Sequence, residues 1–218
     1  MKTRFLFLSA LFIHLIGCTD VSNNKLIDDP LVTSVFSDDE IKSLTTVLLF
    51  FRDAVKSSSD LEAENFHDEF HNYLDQIGSK TKVVSDVYRN LNFDDEKKNL
   101  VISGLRMSGL FDELYFDDTL YYDIERNRYT HNQTDSIIGT YISAKRNGKY
   151  HQLLDEWSKT DSTLIEYSES FSLAGDISPS FIHRMIKQYE QFDLSSERMQ
   201  LFYALTFIML NEPLVVAK

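Results

Sequence analysis

The stretch "SSERMQLFYALTFIML", Ser195 to Leu210, decides the fold. From Met199 onward it is apolar almost all round, so it has no polar face to turn toward water. A helix of that kind must be surrounded by other helices. Residues 195–210 therefore predict the central helix of an all-α domain.

Its neighbours are legible on the same principle. Ser37 followed by Glu40 has the spacing of a capping box, in which each side chain satisfies a backbone N–H of the other. It opens a helix with Ile41, Leu44, Leu48, Phe51 and Val55 on one stripe. Ser59 and Glu62 repeat the spacing, and Ala63, Phe66, Phe70, Tyr73, Leu74 and Ile77 follow as an apolar face that runs to Gly78. Asp94, Asp95 and Glu96 place negative charge where a helix dipole favours it and open a segment to about Leu105.

Residues 107–116 read as a short helix, 117–134 as a long polar and aromatic loop, and 135–146 as helical again. Residues 149–174 carry Leu153, Leu154, Trp157, Leu164, Tyr167 and Phe171 at helical spacing, ending at Gly175. Ser178 and Pro179 have the cap and first-position types of a further helix. Pro30, Pro179 and Pro213, the three prolines, all fall where a helix can start or stop. Sixteen Phe and eleven Tyr supply seams between helices. The expectation is one all-α, bundle-like domain of about six to eight helices spanning 37–218, a size suited to a single core.

The first twenty residues carry different information. Lys2 and Arg4 precede a run from Phe5 to Gly17 that is apolar but for Ser9 and His14, and polar residues resume at Thr19. Positive, apolar, then small is the order of an export signal, and the run is too short to span a bilayer, which takes about 20 apolar residues. Leu15-Ile16-Gly17-Cys18 closes it, with the only cysteine of the chain in last place. An exported chain with one cysteine cannot form an internal disulfide and would carry a reactive thiol.

On these residues the leader resembles that of bacterial lipoprotein precursors, whose lipobox runs aliphatic residue, tolerant position, small residue, cysteine. His14 departs from the usual pattern, and the resemblance covers the leader alone. It implies that residues 1–17 are a cleaved signal peptide and that Cys18 carries a covalent lipid: a diacylglycerol on its sulfur and an acyl group such as palmitate on its new amine. More than one acyl chain gives stable anchoring. Residues 18–36, which begin polar, contain Pro30 and lack helical periodicity, are then a lipidated tether. Thr19 after the cysteine, where aspartate is absent, resembles the sorting pattern of outer-membrane lipoproteins. The expected location is the bacterial cell envelope, at the outer membrane rather than the inner one.

Charge narrows the partners. The chain holds 34 acidic and 22 basic residues, and loss of the leader removes Lys2 and Arg4, leaving a balance of −14. Such a body is repelled by nucleic acid and by anionic headgroups, and it favours a basic protein partner.

Motifs for chemistry are sparse. His67 and His71 stand four residues apart, as two metal ligands on one helix face must, and Glu64 and Asp75 project near the same side. Zinc held by His67, His71 and Glu64 or Asp75 would make the chain a metal-dependent hydrolase. The residue after His67 is Asp68, so this is not the zinc-protease pattern. An ordinary solvated helix face explains the same residues. His131, His151 and His183 stand singly in separate segments, and no glycine-rich phosphate loop or nucleophile elbow occurs.

Tyr121, Tyr122 and Tyr129 lie off any helical stripe and fit a recognition surface. The residues favour a non-enzymatic helical domain that binds a protein or ligand, of the immunity or adaptor type. The other readings are the metal hydrolase and a structural envelope lipoprotein.

Overall fold

The structure, a computed structural model, describes residues 25–59, 63–81, 93, 95–123, 128–130, 136–174 and 179–210, with backbone only at 95, 118–123, 128–130, 136–141 and 179. The lipobox and Cys18 lie outside the described residues. The helices are α1 (Pro30–Val35), α2 (Asp38–Ser58), α3 (Phe66–Lys80), α4 (Asp95–Ser108), α5 (Phe111–Leu114), α6 (Lys149–Ser158), α7 (Ile165–Ala174), α8 (Pro179–Lys187) and α9 (Glu197–Leu210). Three strands, β1 (Tyr115–Asp123), β2 (Arg128–Thr130) and β3 (Ser136–Ala144), lie between α5 and α6. The fold is all-α with this one small sheet inserted. Seven of these helices have nine residues or more, within the six to eight expected.

Helix α9 is the axis of the core. All twelve residues from Met199 to Leu210 are buried. Phe202 meets Tyr150, Trp157 and Phe181, Tyr203 meets Phe70 and Phe192, and Phe207 meets Phe51, with ring centroids 5.0 to 6.0 Å apart. Each buried phenylalanine contributes roughly 1.5–3 kcal/mol through the water it sheds. The helix can be enclosed on every side because its polar atoms find partners. The Thr206 hydroxyl donates to Phe202 O at 2.8 Å and bonds the Tyr150 hydroxyl at 2.9 Å, and Tyr203 donates to Met185 O at 2.8 Å. A buried polar group left alone would cost about 1–3 kcal/mol.

Local signals place most helix ends. The Glu40 carboxylate accepts from Ser37 N–H at 2.8 Å, as the capping-box spacing requires. At α3 the outcome differs. Ser59 is the C-cap of α2, and α3 starts later, with the Asn65 side chain accepting from Asp68 N–H at 3.0 Å. Gly78 stays inside α3, beside α8, where the Lys187 amine donates to its carbonyl. Gly109, at φ +78°, ends the turn after α4 in the left-handed region that favours glycine. The long helix expected over 149–174 divides in two: Asp161 accepts from Thr163 N–H at 3.0 Å and opens a one-turn 3-10 segment, Ser162–Leu164.

Two expectations are corrected. The tether reading of 18–36 does not hold from Lys25 onward, because Leu26, Val32 and Phe36 are buried in the core. Asp29 caps α1 through bonds from Leu31 and Val32 N–H, and it accepts from the Arg198 guanidinium at 3.2 Å. The short helix expected over 107–116 is present as α5, but the chain enters β1 at Tyr115, and residues 135–146, read as helical, and the loop before them instead contain the sheet. Its order is β2-β1-β3, antiparallel throughout, with Tyr115 opposite Ala144 and Tyr122 opposite Tyr129.

The physical reason is in the residues. Strand β3 carries Ile137, Ile138, Thr140 and Ile142, and β1 is rich in aromatics, types that fit a pleated surface. A register irregularity at Leu120/Tyr121 interrupts the two-residue alternation that would have advertised a strand. Tyr115 roots the sheet in the core by donating its hydroxyl to Leu205 O at 3.1 Å.

Candidate functional site

Helix α3 carries the histidines singled out from the sequence. Phe70, Tyr73, Leu74 and Ile77 are buried, which turns His67 outward and leaves His71 half-buried at the edge of the apolar face. The imidazole rings of His67 and His71 lie 5.7 Å apart, centre to centre, at 55°. Glu64 precedes the Asn65 cap and is exposed. The projection that grouped it with His71 and Asp75 assumed a helix there, so it is not held with them.

His71 and Asp75 have a partner that no local pattern announced. Tyr189, in the 3-10 turn Tyr189–Gln191 after α8, packs edge-on against His71 with ring centres 4.5 Å apart. Its hydroxyl lies 2.7 Å from Asp75 Oδ1 and 3.1 Å from His71 Nδ1. Burial, then the hydrogen bond to Asp75, pushes the Tyr189 hydroxyl above the ordinary tyrosine range, so it keeps its proton at neutral pH. The side chain of Asp75 is thereby engaged by Tyr189. Among the described residues, no group of three or more His, Cys, Asp or Glu is placed to hold a metal ion.

A serine-histidine pair also forms. His151 Nε2 lies 2.9 Å from Ser172 Oγ, with the ring beside Phe171. A base that activates a serine must offer Nε2 as an acceptor. Here Asn147 N–H donates to His151 Nδ1 at 3.3 Å, which puts the proton of a neutral ring on Nε2. The imidazole then donates to Ser172 and cannot take its proton. The pair joins α6 to α7 and has the wrong tautomer for nucleophilic catalysis.

Of the remaining candidates, His131 and Cys18 lie outside the described residues, and His183 stands half-buried on α8. Tyr121, Tyr122 and Tyr129 are brought together by the backbone: Tyr122 pairs with Tyr129, and Tyr121 with Thr130 and Ile137. Their side chains lie outside those described. At the sheet root, Asp117 is held by Arg106 through bonds of 2.6 and 3.0 Å.

Other carboxylates stand exposed at Asp38, Asp39, Asp112, Glu113 and Glu169. No described helix is long and apolar enough to cross a membrane. Compared with known proteins, the chain matches no family model, no curated protein and no solved structure.

Proposed function

We propose that this chain is a lipid-anchored protein of the bacterial cell envelope, held at the outer membrane through Cys18, whose helical domain binds a basic protein partner without catalysing a reaction of its own. The observation that carries the anchor is Leu15-Ile16-Gly17-Cys18 at the end of the apolar run. The body begins close behind it. Six residues, 19–24, lie between Cys18 and Lys25, a reach of at most about 25 Å of extended chain. The end of the domain bearing Lys25, whose N–H donates to Glu197 Oε2, then faces the bilayer. The −14 balance keeps that body off anionic headgroups, while the lipid supplies the attachment.

The partner reading rests on the −14 balance and on the carboxylates exposed at Asp38, Asp39, Asp112, Glu113 and Glu169. Its sharper form is an immunity or adaptor protein that neutralises or recruits a basic partner by charge complementarity. Two measurements test the proposal separately. Intact mass of the protein taken from membranes should show loss of residues 1–17 and acyl chains on Cys18. A free Cys18 thiol on a chain that keeps its leader would end the anchor reading.

For the partner, detergent-solubilised tagged chain from its native host should capture one near-stoichiometric basic protein. Reversing Asp112, Glu113 and Asp117 to lysine should release it. Capture unchanged by that reversal, or an empty capture from correctly anchored protein, would refute the basic-partner reading.

A further inference from the structure

We propose that His67 and His71 form a two-nitrogen site for a divalent transition-metal cation of the zinc class, with Tyr189 and Asp75 setting the tautomer of His71. The argument starts from one proton. A tyrosine hydroxyl has one to give, and an ionised carboxylate can only accept, so the 2.7 Å bond commits it to Asp75 Oδ1. The tyrosine oxygen is then an acceptor toward His71 Nδ1 at 3.1 Å, which must carry the proton of the neutral ring. Nε2 keeps its lone pair. This is the relay that orients metal-bound histidines, in which the second ring nitrogen is tied to an outer group that fixes tautomer and plane.

His67 supplies the other nitrogen. Four residues apart on a helix is the spacing by which helical zinc sites take two ligands. Two imidazoles sharing a tetrahedral zinc at about 2.0–2.1 Å place their ring centres about 5 Å apart. The observed 5.7 Å lies close to that, and the exposed His67 ring can rotate to close the difference. The sequence grouped Asp75 with the ligands; through Tyr189 it becomes a positioning residue instead. With Asp75 so engaged and Glu64 ahead of the helix, water or an external donor fills the remaining positions. The site is therefore open and weaker than a closed four-ligand centre.

Zinc chloride titrated into the full chain in detergent and non-chelating buffer tests this independently of any protein partner. One zinc should bind per chain, and binding should be lost in His67→Ala and in His71→Ala. Tyr189→Phe should weaken it about ten- to a hundred-fold. It should also move the 15N signals of His71 away from the Nδ1–H pattern while far-UV circular dichroism stays unchanged, a change that a merely structural role would not produce. No zinc at one per chain, or binding unchanged in the exposed-site variant His67→Ala, overturns the site. Unchanged affinity in Tyr189→Phe overturns the positioning role.

Discussion

Helix α9 and the β1–β3 sheet are both rich in bulky apolar and aromatic residues, yet one is recognisable from its own residues and the other is not. In α9 the residues from Met199 to Leu210 are apolar except for Gln200 and Thr206, and burial on all sides follows from that composition. In the sheet, Tyr115, Ile142 and Ala144 are buried while Phe116 is 41 % exposed. The β1–β3 strands exist because residues 14 to 29 positions apart pair across the ladder. A helix carries its hydrogen bonds within itself, whereas a strand borrows them from a neighbour. The difference teaches that burial is readable from local composition, and pairing is not.

The largest test of that contrast is Phe202→Ala, which removes a ring packed against Tyr150, Trp157 and Phe181. Loss of about 3–5 kcal/mol is expected in denaturant unfolding, enough to threaten the fold. At the root of the sheet, Ile142→Ala should cost about 2–3 kcal/mol by the same measurement, because Ile142 is buried in the core. A negligible effect would mean that the sheet is only attached to the core.

Tyr115→Phe isolates the tie between the two regions. It deletes the hydroxyl bond to Leu205 O while keeping the ring, and should cost about 0.5–1.5 kcal/mol.

Two ion pairs sharpen the comparison at smaller amplitude. Lys149 and Glu40, at 2.5 Å, join α6 to the head of α2 with side chains only 22 % and 21 % exposed. Burial alone would raise the Glu40 carboxyl, but hydrogen bonds from Lys149 and Ser37 outweigh it and hold the group below its ordinary value of 4.5. Glu40 therefore stabilises the fold fully above pH 4.5, and that contribution is lost as pH falls through the lower folded value. Glu40→Gln should cost about 1 kcal/mol at neutral pH and converge with the parent protein in acid, read from Tm against pH.

Arg106→Ala breaks the exposed pair with Asp117 at the sheet root and should cost no more than about 1 kcal/mol, diminishing in high salt.

The candidate site divides along the same line. His67 and His71 were visible because four-residue spacing on a helix is a local fact, and the apolar face of α3 confirmed which way they turn. Glu64 was misplaced because the Ser59–Glu62 spacing predicted a helix start several residues early, whereas Asn65 is the cap in use. Tyr189 was not legible at all. It stands 118 residues from His71 and 114 from Asp75, and nothing around "QYEQF" marks it as their partner. The His151–Ser172 contact was equally hidden, and its tautomer depends on a backbone N–H from the turn at Asn147.

Read by itself, the sequence determined what rests on neighbours along the chain: the apolar helix faces, the capping box at Ser37 and the enclosure of α9. Only the tertiary structure decided that Leu26, Val32 and Phe36 belong to the core, that 115–123, 128–130 and 136–144 pair as strands, and that Tyr189 stands between His71 and Asp75. Helical order is settled by contacts three and four residues away, while strand pairing and side-chain relays require distant segments to meet. Which segments meet is chosen by the packing of the whole core.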